Sequence, residues 1–68
     1  MNHTPYIEMA ASLAKESEKI SNSWKEGYLT DREYIAEISA IQDLVKKYQI
    51  EDLYVLATRA LLIHKRTG

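Results

Sequence analysis

The stretch GYLTDREYIAEISAIQDLVKKY, residues 27–48, decides how this chain folds. Gly27 accepts the left-handed conformation that closes many helices, so it marks the end of whatever precedes it. Three residues later Thr30 and Glu33 form a Thr-x-x-Glu box, in which each side chain satisfies the other's free backbone amide. Leu29 before the cap and Tyr34 at the fourth helical position have the spacing of a hydrophobic staple. From there Tyr34, Ile38, Ile41, Val45 and Tyr48 step by four, three, four and three, the pattern of a helix seated against another helix. Two heptads suit a short helical hairpin as well as a coiled coil, and the hairpin is the reading adopted.

Upstream, Thr4-Pro5 suits a helix start, because threonine caps orphan amides and proline needs no hydrogen bond in the first turn. Tyr6, Met9, Ala10, Leu13, Ser17, Ile20 and Trp24 then recur on one face, opposite Lys15, Glu16, Glu18 and Lys19. Downstream, a short polar break around residues 49–52 leads into a third segment with Glu51 and Asp52 at its positive end. There Leu53, Leu56, Ala57, Ala60, Ile63 and His64 share a face, Tyr54 and Leu61 lie beside it, and Val55 and Leu62 point away. The expected fold is all-α: one domain over residues 1–68, with helices at about 5–26, 31–48 and 52–65. It is a helical hairpin plus a largely buried third helix. No alternating pattern or internal repeat argues otherwise.

The third segment is apolar nearly all round, which is normal only for a helix covered on more than one side. Two short helices cover one broad face, so the Val55/Leu62 side is expected to meet a second copy of the chain or a different protein. Val55, Arg59 and Leu62 are the candidate self-association residues. The 68-residue length supports this, since domains this small bury a modest share of their surface. With no cysteine, disulfides and the commonest zinc sites are closed as reinforcements, leaving helix packing or a homodimer.

Aromatic side chains often anchor interfaces. Tyr6, Tyr34 and Tyr48 fit the core seams, whereas Trp24 and Tyr28 flank the Gly27 turn, where coverage is thin. Trp24 and Tyr28, with Tyr54 and Leu61 on the third segment, are the candidate partner contacts.

Other chemistries lack their residues. The two histidines, His3 and His64, stand at opposite ends without a metal-binding spacing, so no metal or cofactor is expected. Glu33 and Glu37 share a helix face, but nothing sets the unlike environments that acid–base work requires. No nucleophile turn or phosphate-binding glycine loop is present, and no enzymatic activity is expected. Net charge is −1, with eight acids and four bases through Leu44 and two acids and five bases beyond it. Lys46, Lys47, Arg59, Lys65 and Arg66 are therefore the candidate contacts for an alternative role as a nucleic-acid-associated regulator. That charge is weaker than nucleic-acid-binding domains usually concentrate. The absence of a leader-like start or a membrane-length apolar run makes a cytoplasmic location the expectation. The function read from the residues is a small protein–protein interaction module, a regulator or inhibitor acting by binding.

Overall fold

The computed structural model describes residues 4–67, with side-chain surroundings for 5–63. Three helices account for it: α1 (Thr4–Lys25), α2 (Asp31–Lys47) and α3 (Glu51–Thr67). The expected boundaries agree to within two residues. The capping role expected of the Thr4 side chain, and the roles of His3, His64, Lys65 and Arg66, lie outside the described side chains.

The α1–α2 connection forms as its residues require. The Glu26 amide donates to the Asn22 carbonyl, the Gly27 amide to Trp24 at 3.1 Å and the Tyr28 amide to Ser23 at 2.8 Å. The last two bonds are the paired bonds of a Schellman motif, with Gly27 left-handed at φ 89°. A Cβ at Gly27 would meet nothing within 4 Å, so its need for glycine is purely conformational. The capping box then closes, the Thr30 amide donating to Glu33 Oε1 at 2.9 Å and the Glu33 amide to Thr30 Oγ1 at 3.1 Å. Across the turn, the Trp24 and Tyr34 rings stack at 4.4 Å, and Trp24 Nε1 donates to Asp31 Oδ1 at 2.7 Å.

The α2–α3 connection repeats the motif without a glycine. The Gln49 amide donates to the Lys46 carbonyl at 3.2 Å and the Ile50 amide to Val45 at 3.1 Å. Gln49 is left-handed at φ 54°, and Ile50, one residue on, is 3% exposed in the core. A side-chain-bearing residue in that conformation costs roughly 1–2 kcal/mol relative to ordinary helical backbone. Gln49→Gly is therefore expected to raise stability by about 0.5–1 kcal/mol, the relief being partly offset by glycine's freedom in the unfolded chain. Urea unfolding checks it; a loss of stability would show that the Gln49 side chain contributes contacts.

α1 is the central helix: α2 and α3 both pack along it and touch each other only slightly. Ala10, Ile41, Val45 and Ile50 form the core where the three helices meet, flanked by Met9, Leu13, Ile20, Leu53 and Tyr54. Ala14, also buried, extends it along α1. Two expectations are corrected. Tyr6 and Tyr48, placed in the core by periodicity, are 46% and 41% exposed, because they stand at the open ends of their helices. The helix that is covered on two sides is α1, not α3, whose described side chains are at best half-buried. The reason is residue size, since Ala10, Ala14 and Ser17 let neighbouring helices come close to α1.

The result is open. The chain exposes 5482 Å², against about 4,400 Å² for a compact monomer of its mass. Its radius of gyration is 12.7 Å, against about 11 Å for a compact domain of this length.

Candidate protein interaction surface

The orientation of α3 about its own axis determines what this protein presents to its surroundings. Leu53, Tyr54, Ala57, Thr58 and Leu61 are the half-buried side chains that turn toward α1. Polar bonds help hold this rotation. Ser17 Oγ donates its single proton to the Leu13 carbonyl at 2.9 Å, so the 2.5 Å contact between Ser17 Oγ and the Tyr54 hydroxyl has tyrosine as the donor. Thr58 Oγ1 in turn donates to the Tyr54 carbonyl at 2.8 Å. Tyr54→Phe leaves Ser17 with its carbonyl partner and is expected to cost about 1 kcal/mol, measurable by thermal unfolding. An unchanged stability would mean that the bond contributes nothing to seating α3.

With that face seated, the other side of α3 is exposed and largely aliphatic. Val55 is 48% exposed, Leu56 61%, Leu62 56% and Ile63 63%, with Arg59 and Ala60 exposed among them. At about 100° per residue, Asp52 and Arg59 run down the middle of this face, Val55 and Leu62 along one edge, and Leu56 and Ile63 along the other. Periodicity assigned Leu56, Ala60 and Ile63 to the inward side with Leu53 and Ala57. That assignment is corrected, since all three are exposed. A tyrosine whose hydroxyl finds a partner in the interior takes a place that hydrophobicity alone gives to leucine. Val55 faces out as expected, Leu62 stands exposed at the rim of the α1–α3 crevice, and the aliphatic surface is broader than the sequence indicated.

The remaining candidates are dispersed. Trp24 is engaged by Tyr34 and Asp31 within the α1–α2 turn, although 37% of it is exposed. Tyr28 is 77% exposed beside it. Tyr54 and Leu61 belong to the α1–α3 junction and are half-buried, so they do not join Tyr28 in a common surface. Lys46 and Lys47 are exposed at the end of α2, with the Lys47 ammonium 5.5 Å from the Tyr48 ring centroid. Arg59 stands on α3 with aliphatic rather than basic neighbours along its helix.

Among the described residues no group of three or more metal-binding side chains converges. The crevice between α1 and α3, lined by Ser17, Ser21, Asn22 and Thr58 among others, measures about 170 Å³, below the usual size of a small-molecule pocket. No helix of the described residues is long and apolar enough to cross a membrane. Comparison with known protein families, curated proteins and solved structures finds no match to this chain.

Proposed function

We propose that this chain is a protein–protein interaction module that docks through the outer face of α3 and acts by binding rather than by turnover. The observation that carries the reading is the row of Val55, Leu56 and Leu62, each about half exposed or more on one helix side. Scattered exposed aliphatics are ordinary, but a contiguous set along one face is a common mark of an interface. Small size and binding through one helix suit a regulator or inhibitor of another protein.

The test is a comparison of wild type with Leu62→Glu. Leu62 is 56% exposed, so the charge is expected to leave the fold intact, with a stability change within about 0.5 kcal/mol by circular dichroism. Solution mass is measured by light scattering after size exclusion from micromolar to millimolar chain, and retained proteins are compared in a pull-down. Loss of self-association or of a retained partner in the variant supports the α3 face. Identical mass and identical retained proteins in both would sink it.

A further inference from the structure

Resting on that reading, we infer that the occupant of the α3 face is a second copy of this chain, paired antiparallel so that Asp52 of each copy faces Arg59 of the other. The face points to a second copy because it carries its own electrostatic complement: one anion, Asp52, and one cation, Arg59, two helical turns apart on its midline.

A two-fold axis requires that a patch complement itself, so the pairing must bring unlike groups together when the helix meets its own copy. Parallel pairing sets Arg59 against Arg59 and Asp52 against Asp52. Antiparallel pairing centred on Arg59 again opposes the two guanidiniums. Antiparallel pairing centred between residues 55 and 56 does neither. It matches Asp52 with Arg59 twice, and it brings Val55 to Val55 along one edge and Leu56 to Leu56 along the other. Leu62 then extends toward the α2–α3 turn of the second copy. The arginine's alkyl stem packs among the leucines while its charged end reaches the carboxylate.

The experiment uses the full chain and four forms: wild type, Asp52→Arg, Arg59→Glu and the doubly exchanged variant. Sedimentation equilibrium gives the dimer dissociation constant, and circular dichroism confirms that each form is helical. Each single reversal creates two like-charge contacts and is expected to weaken the dimer about tenfold or more, as for charge pairs flanked by apolar contacts. The double exchange restores both pairs and is expected to return the constant to within about threefold of wild type. Single reversals without effect, or a double variant no better than either single, would overturn the antiparallel register. If Leu62→Glu still dissociates that dimer, the α3 docking face stands without the register. A wild-type monomer at millimolar concentration would overturn the second copy as occupant, and the α3 face is then judged by the pull-down alone.

Discussion

Ile41→Ala is expected to cost about 3 kcal/mol, the middle of the range for truncating a buried isoleucine. Ile41 is 6% exposed and packs with Ala10, Val45 and Ile50 at the point where the three helices meet. A chain of this length holds only on the order of 3–10 kcal/mol in total, and few side chains here are fully buried. One truncation at the centre therefore removes a large share of the stability. For a domain of this size the loss corresponds to a fall in melting temperature of roughly 20 °C. Thermal unfolding at one fixed chain concentration reads it, because self-association makes the melting temperature depend on concentration. The lone tryptophan adds a second probe, since Trp24 fluorescence reports loss of the Tyr34 stack. Ile35→Ala is the control. Ile35 lies on the same helix but is 62% exposed, and its truncation is expected to cost about 0.5 kcal/mol or less. Equal losses at the two positions would refute the assigned face of α2.

Ala10→Leu is expected to destabilise by about 2–3 kcal/mol, although leucine is the more hydrophobic residue and nearly as good a helix former. Ala10 is 1% exposed against Ile41, Val45 and Ile50. Three added carbons there have no space unless a helix moves away from α1, and a displaced helix leaves core residues half-covered. The variant is expected to show a lower urea midpoint. Ala40→Leu, the same change on the exposed side of α2, should alter stability by about 0.5 kcal/mol or less. A stabilised Ala10→Leu would show that the junction has room and that the close approach of the helices is not what seats them.

Much of this molecule was legible in local chemistry. Gly27, the Thr30–Glu33 box and the acidic start of the third segment locate three helix boundaries without any tertiary information, because each signal acts on backbone groups within a few residues of itself. The Ile41–Val45 stripe shows which side of α2 is buried, because that side carries large aliphatics at helical spacing and the rest is mixed and polar. The left-handed Gln49 was not legible, since glutamine carries no preference for that conformation. Ile50 was lost with it, read as part of a polar break when it is the buried residue that follows the motif.

What the sequence by itself determined is the number, length and entry points of the helices, and the presence of more apolar surface on the third than its neighbours can cover. Periodicity identifies a buried side only when the other side is polar, and α3 is apolar nearly all round. Only the tertiary structure decided which of its sides faces in, a side that Leu53 and Tyr54 pack against the core and that the Tyr54–Ser17 bond helps to seat, and which helix lies at the centre, where Ala10 and Ala14 of α1 are buried. These choices depend on contacts between residues far apart in the chain, and local spacing carries no record of them.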